Sequence, residues 1–205
     1  MTWVLFGYRG VISSGPSEQD MTTMAGAAGV AVRRLEDAYW RPRPAYDLAE
    51  LDAPDYWQQV GRLAGRGQPY TGAEIAELIR LDTDSWLHLQ AGTVELIEEL
   101  AAAGHRLAVL ADAPSQIAVA MAELPVARYF EQLIFSCELK MPTLDVAFLA
   151  AAVDRLGAAA ADVIFVGDRA GDSAAAAGTG LRTVRFTSPG QAREVLAELL
   201  VCHIK

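Results

Sequence analysis

The chain has 205 residues, enough for one hydrophobic core and a modest inserted subdomain. Hydrophobic residues make up 52% and charged residues 21%, which excludes a disordered chain. The net charge of −9 at pH 7 argues against a nucleic-acid partner and an anionic membrane surface, because both attract basic faces. With two cysteines, no signal-peptide pattern and no long apolar run, we expect a cytoplasmic protein without disulfides or membrane spans.

Five short apolar segments, each bounded by Gly, Asp, Pro or charged residues, are typical of buried parallel strands. They are 3–6, 107–110, 133–135, 163–166 and 183–186. Helical patterns separate the last four strands at 115–123, 145–156 and 171–178, and another closes the chain at 191–201. This alternation predicts an α/β fold with a doubly wound, Rossmann-like parallel sheet.

The region from residue 14 to residue 90 interrupts that alternation, because it shows helical patterns and no clear strand. We predict helices at 20–39, 55–64 and 72–89, with Asp20 as the cap of the first and a Thr71-x-x-Glu74 capping box before the last. The domain prediction is therefore a sheet core of 1–13 and 91–205 and a helical cap of 14–90. An insertion directly after the first strand is expected over the carboxyl ends of the strands, where such sheets bind ligands.

Polar side chains follow three of the predicted strands at this edge of the sheet. Tyr8 and Arg9 follow the first strand, Asp112 the second, and Asp168 and Asp172 the fourth. Two carboxylates four residues apart at the end of a strand are candidate ligands for a magnesium ion. An equally good interpretation makes Asp168 a helix cap and Asp172 a surface residue.

Four segments, taken together, resemble one known family across residues 3–186. They are Val4-Leu5-Phe6-x-x-x-Gly10-Val11-Ile12, the stretch 104–114, the stretch 130–139, and Phe165-Val166-Gly167-Asp168-x-x-x-Asp172. The chain resembles the haloacid dehalogenase-like (HAD) superfamily, in the form that carries a helical cap after the first strand. The resemblance implies a cleft between the cap and the sheet as the place where ligands bind.

The resemblance also implies that two catalytic carboxylates are missing. Members of the family end the first strand with an Asp-x-Asp motif, in which the first Asp is the nucleophile and a magnesium ligand. In phosphatases of the family the second Asp protonates the leaving group. Gly7 and Arg9 stand at these positions here. A glycine has no side chain with which to attack, and an arginine is always protonated and cannot act as a carboxylic acid.

Two further motifs of the family are altered. Ala111 stands where the family has a Ser or Thr that hydrogen-bonds the transferring group. At the position of the family's Lys, the register leaves Pro142 and Thr143 open, and Lys140 is a nearby substitute. Only the last motif, Asp168 and Asp172, is complete.

Without a carboxylate at position 7, the resemblance leaves Asp168 and Asp172 as the main magnesium ligands, a poor set for an ion that takes six oxygens. We therefore expect no tightly bound cofactor, and weak magnesium binding at most. One hypothesis is that the Arg9 guanidinium replaces the charge of the metal and pairs with one of the two carboxylates. The alternative is that Arg9 points into the cleft and is solvated.

The sequence leaves three functions open. The first is a pseudoenzyme, monomeric or homodimeric, that binds a small anionic metabolite or a protein partner. The residues expected to bind its ligand are Gly7, Arg9, Ala111, Asp112 and Lys140.

The second is a repurposed enzyme that uses acid and base groups for a cyclisation, an elimination or a similar reaction on a small metabolite. The candidate residues on the floor of its cleft are Tyr8, Arg9, Asp112, Asp168 and Asp172. The third, which the sequence favours least, is a residual hydrolase in which Asp112 or Asp168 activates water.

Overall fold

The structure is a computed structural model that describes residues 2–143, 145–168, 175–176 and 178–201. Five parallel strands form one sheet in the order β3-β2-β1-β4-β5. The strands are β1 (Trp3–Gly7), β2 (Arg106–Ala111), β3 (Gln132–Phe135), β4 (Val163–Gly167) and β5 (Arg182–Arg185). The predicted α/β doubly wound sheet is confirmed, and each predicted strand lies within one residue of the observed bounds.

The helices that separate β1 from β2 are α1 (Glu18–Ala28), α2 (Val32–Tyr39), α3 (Arg43–Asp47), α4 (Ala53–Leu63), α5 (Gly72–Ser85) and α6 (Ala91–Ala102). Later in the chain are α7 (Ser115–Ala122), α8 (Ser136–Leu139), α9 (Val146–Leu156) and α10 (Pro189–Val201). Short 3-10 helices occur at Pro125–Tyr129 and Ala160–Asp162. None of the described helices is both long and apolar enough to cross a membrane.

The prediction of one helix at 20–39 with Asp20 as its cap is wrong. Ser17 is the cap of α1, and Asp20 is the third helical residue, whose carboxylate accepts from the backbone N–H of Ser17. Gly29 ends α1 in the left-handed conformation, with φ of +65°, and a second helix begins at Val32. Glycine adopts this conformation at little cost and is a common helix terminator, so the helical pattern is broken where the backbone turns.

The sequence does not predict α3 and α6, and the helix predicted at 171–178 falls mostly on residues outside the described part of the chain. α3 lies where the prolines of the 41–44 segment indicate a turn. Pro44 instead lies in the first turn of α3. Backbone N–H groups in the first turn of a helix have no acceptor within the helix, so a proline there costs no hydrogen bond.

Hydrophobic cores cover both faces of the sheet, and a further core lies among the helices inserted after β1. Alternate residues of β1 face opposite sides, with Val4 and Phe6 in one core and Leu5 in the other. Helices α1–α5 surround a hydrophobic cluster of their own, in which Trp57 is fully buried. The division of the chain at residues 14 and 90 remains a prediction.

Candidate functional site

A cleft of about 180 Å³ lies where the carboxyl ends of β1, β2 and β4 meet α3 and the residues that follow α2 and α5. Its lining residues are Gly7, Tyr8, Arg9, Trp40, Arg43, Pro44, Asp47, Trp86, Leu110, Ala111, Asp112, Thr143, Phe165 and Asp168. The structure thus brings together most of the candidates from the strand tips. Asp172 lies outside the described residues.

The loop after β1 fixes the floor of the cleft. Gly7 ends β1, and a Cβ atom there would lie 3.3 Å from the carbonyl oxygen of Val166. The Tyr8 hydroxyl donates to the carbonyl oxygen of Trp86 at 2.8 Å, and burial raises the pKa of Tyr8 well above its usual value. Tyr8 therefore stays protonated and ties the β1 loop to the end of α5.

Arg9 is exposed and stacks on two indole rings. Its guanidinium carbon lies 4.7 Å from the centre of the Trp40 ring and 5.8 Å from that of Trp86. The two rings contact each other edge to face with centres 6.2 Å apart. This stack holds a cation at the cleft by cation–π attraction. The pairing of Arg9 with Asp168 or Asp172 remains a prediction.

Asp112 follows β2 and is held by Thr143. One carboxylate oxygen accepts from the Thr143 backbone N–H at 2.9 Å, and the other accepts from its hydroxyl at 2.6 Å. Of the residues that the sequence left open for the family's Lys position, Thr143 is the one that reaches the cleft. Lys140 is exposed, ends α8 with φ of +53°, and is not part of the cleft lining.

Asp168 follows β4 and lies against Gly10, whose φ is +77°. A Cβ atom on Gly10 would stand 2.0 Å from Oδ2 of Asp168. The glycine therefore makes room for this carboxylate at the edge of the sheet.

A comparison with known protein families agrees with the fold described above. The family model for haloacid dehalogenase-like hydrolases matches residues 9–180. The chain belongs to the haloacid dehalogenase-like hydrolase family. No curated protein matches the sequence.

Several solved HAD structures share the fold. One is a predicted HAD-like family hydrolase from Porphyromonas gingivalis, with a TM-score of 0.74, 15% identity and 98% of each chain covered. Another is a HAD-family enzyme from Bacteroides thetaiotaomicron in complex with magnesium and inorganic phosphate, with a TM-score of 0.74, 13% identity, and coverage of 91% of this chain and 94% of that chain. A 2-haloacid dehalogenase from Pseudomonas syringae pv. tomato DC3000 gives a TM-score of 0.69 at 17% identity and covers 97% of this chain and 99% of its own.

The described residues of the cleft do not fit the magnesium ion seen in the Bacteroides HAD enzyme. Gly7 supplies no carboxylate, and both oxygens of Asp112 already accept hydrogen bonds from Thr143. Within the described ranges, no group of three or more His, Cys, Asp or Glu side chains could hold a metal ion.

A buried ionic network, which the sequence did not predict, lies on the helical side of this HAD cleft. Arg43 is only 2% exposed; its Nε donates to Oδ1 of Asp47 at 2.7 Å and its Nη1 to Oδ1 of Asp82 at 3.1 Å. The Tyr39 hydroxyl bonds both Arg43 and Asp82, and it accepts from the Trp86 indole at 3.1 Å. The four-residue spacing of Arg43 and Asp47 is the only sequence signal of this network.

Two hydrogen bonds fix α3 against the sheet. The Ser136 hydroxyl donates to the carbonyl oxygen of Asp47 at 2.7 Å and accepts from the Ala113 N–H at 3.1 Å. The Tyr46 hydroxyl donates to Oε1 of Gln116 at 3.2 Å. Because α3 is held at both the β3 and the β2 junctions, the Asp47 side chain has a defined place in the cleft wall.

Burial perturbs the ionisation of Asp47 in the cleft wall. Burial raises its pKa to about 6; Arg43 acts in the opposite direction, while Asp112 and Asp82 add to the increase. For Arg43, burial lowers the pKa, but Asp82, Tyr39 and Asp47 outweigh it and hold that pKa well above the usual value. The guanidinium therefore stays charged, and Asp47 titrates close to neutral pH.

Proposed function

We propose that this HAD-like protein binds a small metabolite in the cleft and does not catalyse a reaction that starts with nucleophilic attack by an aspartate. The observation that carries the proposal is the tip of β1, where Gly7 offers no nucleophile and the Arg9 guanidinium stacks on Trp40 at 4.7 Å. The loss of a nucleophile commonly costs on the order of 10³ to 10⁶ in rate. A small molecule is a better fit than a protein partner, because most of the candidate residues line a concave cavity.

Turnover of a generic aryl phosphate with magnesium tests the chemical half of this proposal. We expect no activity above background from the wild type. Turnover that Asp168→Asn abolishes would contradict the proposal and support a residual hydrolase.

A fragment screen followed by tryptophan fluorescence tests the binding half. Trp40 and Trp86 lie in the cleft, so a bound fragment changes their emission. Arg9→Gln should weaken binding, whereas Arg106→Gln should not, because Arg106 stacks in the same manner on Trp3 but outside the cleft. A screen without hits, or equal losses in the two variants, would count against a ligand site at Arg9.

One observation favours a second candidate, a repurposed enzyme that uses acid and base groups. Asp47 lies in the cleft wall, and burial raises its pKa to about 6, near the value at which a carboxylate works as a base at neutral pH. Such an enzyme should exchange carbon-bound hydrogen of its substrate with solvent. Deuterium incorporation into a metabolite panel in D₂O, present with wild type and absent with Asp47→Asn, would favour this candidate. Its absence favours the binding role.

The cytoplasmic location and the monomeric or homodimeric state remain predictions. Size-exclusion chromatography with light scattering decides the second.

A further inference from the structure

A surface rich in arginine lies on the inserted helices, outside the cleft. Two surface hollows of about 200 and 440 Å³ are both lined by residues from the carboxyl end of α4 and the turn after it. Arg34 and Arg41 line the first hollow, and Arg62 and Arg66 line the second. No residue of either lining belongs to the cleft. We call this region the arginine surface.

The charge of the arginine surface is opposite to that of the whole chain. Asp37 lines the first hollow, and Glu74 pairs with Arg66 at 2.6 Å, so four guanidinium groups face two carboxylates. Arg33 and Glu36, the other charged residues of α2, cancel each other. A local excess of positive charge in a chain of net charge −9 attracts acidic partners to this place and not to the rest of the molecule.

Three of the four arginines are not used by the fold. Arg34, Arg41 and Arg62 are exposed and make no hydrogen bond or ion pair with the described residues. Arg66, in contrast, donates to the carbonyl oxygen of Ala28 and to Glu74. Most surface arginines in the rest of the described chain bond a carboxylate; these are Arg80, Arg106, Arg155 and Arg193. The donors of the three unpaired arginines are therefore available to a partner.

An exposed leucine lies among these arginines. Leu63 is 45% exposed and lines the same hollow as Arg34 and Arg41. Gly65 has φ of +82°, and a Cβ atom there would lie 3.0 Å from Nη1 of Arg34, so the glycine lets that guanidinium lie close to the end of α4. An apolar contact surrounded by charged groups is the arrangement found in protein–protein interfaces.

We propose that the arginine surface binds an acidic segment of a partner protein. Carboxylates of the segment accept from Arg34, Arg41 and Arg62, and an apolar side chain between them packs on Leu63. The planar guanidinium binds a carboxylate through two parallel hydrogen bonds, which gives such a contact direction as well as charge. The surface is separate from the cleft, so this inference does not depend on the small molecule proposed to bind there.

Other anionic partners fit the arginine surface less well. A nucleic-acid strand binds by stacking its bases on aromatic rings as well as by charge, and none of the described residues that line the two hollows is aromatic. Asp37 lies beside Arg34 and Arg41 in the first hollow, where it would repel the phosphates of a nucleic acid or a membrane. The same carboxylate accepts a hydrogen bond from a backbone N–H of a peptide.

Selection from a random peptide library, displayed on phage and exposed to the full chain, tests the proposal. We expect enriched peptides in which Asp or Glu flank an apolar residue. The best peptide is then labelled, and its affinity is measured by fluorescence anisotropy. The affinity should fall as salt is added, because exposed charges are screened.

Two double variants with the same change in net charge locate the contact. Arg34→Gln with Arg41→Gln should raise the Kd of the selected peptide about tenfold, the worth of a hydrogen bond between charged groups. Arg80→Gln with Arg155→Gln removes two arginines outside the surface and should leave the Kd unchanged. Leu63→Ser keeps the charge and should also weaken binding, which separates the apolar contact from the charge.

Three results overturn the inference. The first is a selection that enriches no acidic peptide, and the second is an equal rise in Kd for the two double variants. The third is a different occupant, shown by binding that Arg34→Gln with Arg41→Gln abolishes and the control variant keeps. A labelled single-stranded oligonucleotide, phosphatidylserine vesicles and light scattering of the chain alone test for nucleic acid, membrane and a second copy of this chain.

Discussion

Arg43 and Asp47 lie one turn apart on α3, joined by a hydrogen bond of 2.7 Å between Nε and Oδ1. The same guanidinium also pairs with Asp82 at 3.1 Å, so two carboxylates share one cation. Asp82 is almost fully buried, whereas Asp47 reaches the cleft. Because burial raises the pKa of Asp47 to about 6, the charge that it presents to the cleft changes between mildly acidic and neutral pH.

The first prediction concerns the pH dependence of stability. Burial raises the pKa of Asp47 from 3.8 to about 6 in the folded state, so the folded chain holds a proton that the unfolded chain releases. Asp47 therefore contributes stability that is present below about pH 4 and lost as pH rises through about 6, up to about 3 kcal/mol. Urea denaturation of wild type and Asp47→Asn from pH 4 to 7.5 measures the effect.

The free energy of unfolding of the wild type should fall relative to that of Asp47→Asn across this range and level off above pH 7. Asp37→Asn, which removes an exposed carboxylate of α2 outside the cleft, is the matched control. Parallel curves for wild type and Asp47→Asn would show that Asp47 titrates at its ordinary pKa in the folded state.

The second prediction compares two aspartates of α5. Asp82 is 1% exposed and accepts hydrogen bonds from Tyr39 and Arg43, so Asp82→Ala leaves a buried guanidinium without its main partner. We expect a loss of about 3–5 kcal/mol in the free energy of unfolding. Asp84→Ala removes an exposed pair with Arg80 that solvent screens, so it should cost far less than Asp82→Ala. Equal losses in the two variants would contradict the role assigned to the buried network.

Three strands of this fold, β1, β2 and β4, were predictable because they are buried between two hydrophobic cores. Buried parallel strands are apolar on both faces, so β1 and β4 stand out as short apolar runs that end at glycine. The helices after β1 were less predictable. Their bounds depend on single capping residues such as Ser17 and Gly29, which a pattern of apolar spacing does not resolve.

The site residues that directly follow strands could be predicted from the topology of the sheet. The site residues that helix packing brings together could not. Arg9 and Asp112 come directly after strands, and the ends of parallel strands meet at one edge. Arg43 on α3 and Asp82 on α5 are 39 residues apart in sequence and meet only in the folded chain, where the Tyr39 hydroxyl bonds both. The left-handed turn at Lys140 likewise precedes the stretch that brings Thr143 to Asp112, and no local pattern indicates this.

The third prediction separates backbone strain from steric conflict at the edge of the sheet. Gly10 and Gly104 have nearly the same φ, +77° and +81°, so alanine costs about 1–2 kcal/mol of backbone strain at either position. A Cβ atom on Gly104 meets nothing within 4 Å, whereas one on Gly10 stands 2.0 Å from Oδ2 of Asp168. Gly10→Ala should therefore lower the free energy of unfolding more than Gly104→Ala and displace the Asp168 carboxylate. Chemical denaturation measures the difference, and equal losses would mean that Asp168 does not pack against Gly10 in solution.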